Sequence, residues 1–277
     1  MIFKTIYLKD EYAFLGEDGR NPKLDVYLPS NLSELKRENQ KRPCILICPG
    51  GAYLMCSQIE AEPVALNFLP HGYNVFVLTY SVAPHCFPIQ LIEVAAVFDL
   101  INRKKETWHC DTEKIALMGF SAGGHLAANY ANAYDLPDVK KYFPYSIGPK
   151  ASILCYPVIS ANSAISHKKS FCCLLGHDPS PDEKIRLSCE NMVSEKTPPA
   201  FIWHTSTDEN VPVENSLAYA MALSRFEVPY EMHIYPFGKH GLSTADKNTN
   251  NHLDPRAARN HIWLSAVKDW LDLTFNK

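Results

Sequence analysis

Residues 115–129, IALMGFSAGGHLAAN, constrain this chain more than any other stretch. An apolar run, Ile115-Ala116-Leu117-Met118, leads into Gly119-Phe120-Ser121-Ala122-Gly123, and a helical pattern of small residues follows over 124–133. The order is strand, tight turn, helix, with a serine at the tip of the turn. A Gly-x-Ser-x-Gly turn in this context presents the serine as a nucleophile. The glycines let strand and helix approach closely, and a strained backbone at the serine lifts its hydroxyl clear of the sheet. The start of the helix offers N–H groups to a negative charge developing there. An ordinary Gly-rich strand–helix connection is the competing reading; the correct flanks on both sides weigh against it.

The rest of the chain supplies a layer for that turn. Strand-like runs lie at 3–8 and 24–28, with a turn at Asp18-Gly19 between them, which fits an antiparallel hairpin. Buried-strand runs follow at 44–48 and 151–156, and further strands at 74–78, 200–204 and 230–235. Helical spacing appears at 62–69, 89–104, 213–226 and 256–275. From residue 44 onward strands alternate with helices, which predicts an α/β fold: a mostly parallel sheet with helices on both faces. Residues 157–198 are long and irregular, with a helical piece near 182–189, and read as a cap or pocket wall inserted into a single domain over 1–277.

Ligand sites in such sheets lie beyond the C-terminal ends of the strands. Four features fall there: the Pro49-Gly50-Gly51-Ala52 loop, Ser121, Asp208 and His240. A serine hydroxyl needs a base to take its proton and a third group to orient that base. Among eleven histidines, His240 stands in a Gly-flanked loop, PFGKHG, after a strand. His125, in the helix of the serine turn, reads as a packing residue or a support for the site, and His204, ending a strand, as a group that orients the Asp208 loop. The acid candidate is Asp208 in TSTDENVP, with neighbouring Glu209 as its alternative. Asp246 and Asp254 lie beyond the base and break the expected order. Glycines after a strand also bare backbone N–H groups, so the Pro49-Gly50-Gly51-Ala52 loop can form the second half of an anion-stabilising site beside the serine turn.

The order Ser121, Asp208, His240 and the stretches CPGGAY, GFSAGGHLAA, TPPAFIWHTSTDENVPVENS and FGKHGL together resemble the α/β-hydrolase superfamily. The chain from about residue 20 looks like its esterase/lipase branch, which includes acetyl esterases and acetylxylan-esterase-like enzymes. The resemblance implies Ser121 as nucleophile, Asp208 as acid and His240 as base. It also implies oxyanion donors from the N–H of Ala122 and of Gly51 or Ala52. Related lipases usually carry His-Gly-Gly-Gly where this chain has Pro49-Gly50-Gly51-Ala52. The expected reaction is serine carboxylesterase chemistry on short acyl esters, above all acetyl groups on a sugar or xylo-oligosaccharide, without cofactor or metal. Tyr53 and Phe87 are candidates for the substrate pocket, or equally for the core. A formamidase, a small serine peptidase and a non-catalytic ligand-binding homologue share this framework.

Charge and cysteines bound the alternatives. The net charge is −3 and no basic stripe invites nucleic acid or an anionic membrane. No apolar run approaches the roughly 18 residues that span a bilayer, and residues 1–14 lack the apolar core of a secretory leader. A cytoplasmic protein with a small-molecule ester as its partner is the expectation. The nine cysteines lack paired ligand spacing, and read as reduced thiols, several of them in or beside apolar runs, rather than a zinc site.

Overall fold

A computed structural model describes residues 1–276. Eight strands form one sheet: β1 (Ile2–Tyr7), β2 (Lys23–Leu28), β3 (Arg42–Cys48), β4 (Asn74–Thr79), β5 (Cys110–Phe120), β6 (Ala151–Cys155), β7 (Ala200–Thr205) and β8 (Tyr230–Tyr235). Their spatial order is β1-β2-β4-β3-β5-β6-β7-β8. The pairs β1·β2 and β2·β4 are antiparallel, and every pair from β4 to β8 is parallel. The helices are α1 (Leu8–Glu11), α2 (Glu62–Phe68), α3 (Ile89–Lys104), α4 (Ala122–Ala133), α5 (Pro137–Lys140), α6 (Lys168–Leu175), α7 (Pro181–Leu187), α8 (Glu214–Arg225), α9 (Pro255–Ala258) and α10 (Trp263–Phe275).

The central strands read as unbroken apolar runs because both of their faces are covered. Along β3, Cys44, Leu46 and Cys48 enter one core with Leu91 and Val94 of α3 and Leu126 of α4. Ile45 and Ile47 enter the opposite core with Val64 and Phe68 of α2 and Trp263 and Val267 of α10. In β7 the same alternation sends Ile202 to the first core and Phe201 and Trp203 to the second. The registers Cys48↔Gly119, Phe120↔Cys155 and Cys155↔Trp203 bring the C-terminal ends of β3, β5, β6 and β7 level along one edge. The strand–helix alternation thus gives the expected mostly parallel sheet with helices on both faces, the architecture that the resemblance to α/β-hydrolases implies.

Several local expectations are corrected. β1 and β2 pair antiparallel and the chain turns at Asp18-Gly19, both left-handed, but α1 and 3-10 structure from Ala13 lengthen the connection well beyond a hairpin loop. That detour buries Leu8 and Leu15 completely. Within 157–198 the sequence signalled one helix and the structure holds two. α6 was hidden because a Lys-Lys start and two cysteines leave only Phe171 and Leu174 as its buried apolar anchors. The helix expected over 256–275 is interrupted by a 3-10 turn at Arg259–Ile262, where the Asn260 amide reaches down to the Phe237 carbonyl at 2.8 Å. All nine cysteines are free thiols, five of them buried. Among the described residues no helix is long and apolar enough to cross a membrane.

Candidate active site

Ser121 sits between β5 and α4 with φ 52° and ψ −118°. This positive φ is unfavourable for any side-chain-bearing residue. The surrounding backbone holds it on both sides. Its N–H donates to the Cys155 carbonyl at 3.0 Å, and its carbonyl accepts from Val158 at 3.0 Å and from His125 at 3.2 Å. The flanking glycines are obligatory for contact reasons: a Cβ on Gly119 would collide with the Gly123 carbonyl, and one on Gly123 with the Cys48 carbonyl.

The three residues picked from the ends of β5, β7 and β8 meet. His240 Nε2 lies 2.7 Å from Ser121 Oγ, and His240 Nδ1 lies 2.6 Å from Asp208 Oδ2. Asp208 is buried, and its other oxygen accepts the N–H groups of Asn210 and Val211, each at 3.0 Å. Burial alone would disfavour its charge, but hydrogen bonds from His204 and His240 and the His240 charge outweigh it and hold the carboxyl far below the usual range. His204 Nε2 is 3.2 Å from Asp208 Oδ2 and 3.0 Å from the Val211 carbonyl, so this nitrogen carries its proton and steadies the Asp208 loop. Glu209 is exposed. Asp254 caps α9 and pairs with Arg256 instead.

The Gly50 loop closes over the same edge. Gly51 (φ 127°), Ala52 (φ 56°) and Tyr53 (φ 57°) form a run of positive φ. A Cβ on Gly51 would collide with the Met55 carbonyl, whereas Ala52 occupies a left-handed conformation open to it at a cost. Among the described residues the N–H groups of Gly51, Ala52 and Ala122 have no acceptor, while the N–H groups of Leu54, Met55 and Ser57 turn back onto the Gly50 and Gly51 carbonyls. Donors left free beside a serine hydroxyl can receive an oxyanion.

The loop is anchored from beneath. Tyr53 is almost wholly buried and lies in the interior, not in a substrate pocket; its hydroxyl meets His125 Nδ1 at 2.8 Å. His125 Nε2 donates to the Leu187 carbonyl at 2.8 Å, which leaves Nδ1 as the acceptor for Tyr53. Burial pushes the His125 pKa down to about 4, so the ring is neutral. Phe87 is half-buried against the core with the Arg186 guanidinium over its ring. Two residues near the site carried no sequence signal. Glu60 is buried and accepts the Gly50 N–H at 2.8 Å. His167, from the inserted segment, is half-buried, and burial together with the nearby His240 charge lowers its pKa. A cleft of about 620 Å³ opens beside His240, lined in part by Thr207, Glu209, Asn210 and Phe237.

Comparison with known proteins places the chain in a family. The BD-FAE family model matches residues 24–223. The chain belongs to the BD-FAE family. This BD-FAE chain is 37% identical over 253 residues, 88% of its length, to "Endo-1,4-beta-xylanase B" of Butyrivibrio fibrisolvens. It is 32% identical over 233 residues, 82% of its length, to "Acetylxylan esterase" of Xylanibacter ruminicola. It spans only 38% and 45% of the length of these two curated relatives. Among solved structures, the acetyl ester-xyloside bifunctional hydrolase of Caldicellulosiruptor lactoaceticus is 35% identical with a TM-score of 0.79, and 96% of each chain is covered. The BD-FAE chain is thus an esterase-like α/β-hydrolase.

Proposed function

We infer that the protein is a serine carboxylesterase that removes short acyl groups, acetyl above all, from sugars such as xylo-oligosaccharides. The observation that carries this reading is the unbroken hydrogen-bonded run from Ser121 through His240 to Asp208, with unpartnered N–H groups of Gly51, Ala52 and Ala122 beside it. His240 Nε2 takes the Ser121 proton as Oγ attacks the ester carbonyl. The carbonyl oxygen becomes an anion held by the Ala122 N–H and by that of Gly51 or Ala52. His240 then gives its proton to the leaving alkoxide, which departs as the sugar hydroxyl and leaves an acyl-Ser121 ester. Water, deprotonated by His240, attacks that ester and releases the acid. Asp208 keeps the Nδ1–H tautomer of His240 and stabilises its cation.

The sugar alcohol is supported by the relatives bearing acetylxylan and acetyl ester-xyloside in their names, which cover most of this chain. We read residues 1–276 as one hydrolase domain with 157–198 as a wall of its pocket. A fluorophosphonate should label Ser121, and a panel of acetylated xylo-oligosaccharides, N-formylkynurenine and Pro-containing peptides should yield turnover on the acetylated sugars. Turnover confined to the formamide or the peptides would overturn the assignment.

A further inference from the structure

Glu60 stands outside the hydrogen-bonded run that ends at Asp208, yet it lies beneath it. It is 3% exposed and ends a 3-10 turn, Gln58–Glu60, that follows the Gly50 loop. Its Oε2 accepts the Gly50 N–H at 2.8 Å, and its Oε1 accepts the Tyr156 hydroxyl at 2.7 Å. The Tyr156 oxygen is itself the acceptor for the Ser243 N–H at 2.9 Å, so the phenol proton is directed to Glu60. Ser243 Oγ returns to the Ile59 carbonyl at 2.6 Å. A Cβ placed on Gly50 would come within 2.7 Å of Glu60 Oε2 and 2.9 Å of the Ser121 Cβ. The carboxylate and the serine therefore flank the same glycine. Among the described residues no ion pair includes Glu60.

Both Glu60 oxygens thus act as acceptors, one for the loop that bears the free N–H groups, the other for the Tyr156 hydroxyl, whose oxygen in turn accepts from Ser243 in the segment that bears His240. The Tyr156 ring stands edge-on to the His240 ring, with centroids 5.1 Å apart. Burial raises the Glu60 pKa, and hydrogen bonds from Tyr156 and Gly50 and the His240 charge pull it back toward ionisation.

Resting on the reading of Ser121 as nucleophile and His240 as base, we propose that Glu60 is a positioning residue for ester cleavage. It fixes the Gly50 peptide so that the following N–H groups stay free beside Ser121. Through Tyr156 it ties the 240–243 loop to the same point. It also sets a second negative charge, besides Asp208, near the cation that forms on His240. In a dry interior such a charge acts with little screening. The groups that face His240 are Asp208 from the loop after β7, Glu60 from the 3-10 turn, Tyr156 from the end of β6, and His167 from the inserted segment, with His204 acting through Asp208. Cys56, Cys155 and Tyr80 feel the Glu60 charge from the other side.

The test compares wild type, Glu60→Gln and Tyr156→Phe on 4-nitrophenyl acetate across pH, with circular dichroism and melting to show that each variant folds. Glu60→Gln keeps the shape and removes the charge. It should lower kcat by about 10- to 100-fold while KM stays within about threefold. The acid limb of its kcat/KM profile should move to lower pH by about one unit, because the imidazolium loses an anion. Tyr156→Phe should lower kcat but keep the acid limb close to that of wild type, since Glu60 retains its charge. A folded Glu60→Gln with the wild-type kcat and pH profile overturns the proposal. Should Glu60→Gln fail to fold, Tyr156→Phe decides: a wild-type kcat there overturns it equally. A wild type that is inert toward the ester and unlabelled by fluorophosphonate at Ser121 instead removes the esterase reading itself, and Glu60 loses its role with it.

Discussion

Ser121 is held at φ 52°, a conformation that costs a non-glycine residue on the order of 1–3 kcal/mol. The hydrogen bonds from Val158 and His125 to its carbonyl, and from its own N–H to Cys155, offset that strain by anchoring the turn to β6 and α4. At the far end of the run, Asp208 has no freedom left: one oxygen takes two backbone N–H groups, the other faces His204 and His240. Asp208→Asn would keep most of the packing but place an amide where only an acceptor suits the His240 ring. The expected result is a fall in kcat of about 10⁴-fold with a near-native melting temperature. Steady-state kinetics beside a thermal melt checks it. A loss of less than tenfold would mean that His240 does not depend on this carboxylate.

At the scale of elements, the Gly50 loop is the part whose shape is least replaceable. Gly51→Ala should distort it, since φ 127° is closed to alanine and its Cβ would collide with the Met55 carbonyl. The melting temperature should drop by several degrees, and kcat of the folded variant by about 10²- to 10³-fold, the cost of misplacing one oxyanion donor. Wild-type kcat in this variant would show that the loop donates nothing to the reaction. The sequence made such elements legible where a few adjacent residues carry the whole signal. The β5–turn–α4 unit is written in consecutive residues, and the apolar runs of β3, β4, β6 and β7 follow from burial on both faces, whereas β8 lies at the sheet edge and is mostly half-buried or exposed. Asp208 and His240 could be placed on the active edge because each follows a strand run directly. Glu60 could not, because its partners Gly50 and Tyr156, and Ser243 behind Tyr156, come from three separate segments and the Gln58-Ile59-Glu60 turn has no periodicity of its own. α6 was equally hidden, as too few of its residues are buried to mark a helical face. Tyr53 was ambiguous between pocket and core; the His125 contact that draws it inward joins positions far apart along the chain.

Across the whole molecule, two buried titrating groups pull stability in opposite directions with pH. His125 has its pKa lowered from 6.5 to about 4 by burial. Below pH 6.5 the unfolded chain binds a proton that the native ring refuses, so stability falls as pH drops from 6.5 to about 4, by about 3 kcal/mol. Glu93 is buried on α3, where it accepts the N–H and hydroxyl of Ser81, and burial raises its pKa from 4.5 to about 7. Its contribution is whole below pH 4.5 and is lost as pH rises through about 7, again by about 3 kcal/mol. The two windows overlap between pH 4.5 and 6.5, where the opposing slopes cancel, so together these groups leave stability flat there. Chemical denaturation at a series of pH values should show His125→Gln uncovering a fall in stability as pH rises from 4.5 to about 7, and Glu93→Gln uncovering a rise as pH climbs from about 4 to 6.5, whatever the constant offset each substitution brings. Unchanged slopes in both variants would assign the pH dependence to other groups.

Every functional statement returns to one hydroxyl at the edge of the sheet. Its most direct test is acetate release from acetylated xylo-oligosaccharides by wild-type protein and by Ser121→Ala, followed under identical conditions. Wild type is expected to release acetate, and the variant to be slower by about 10⁴-fold or more while keeping its fold. Equal rates of release from the two proteins would contradict a nucleophilic role for Ser121, however well the sheet and its loops are formed.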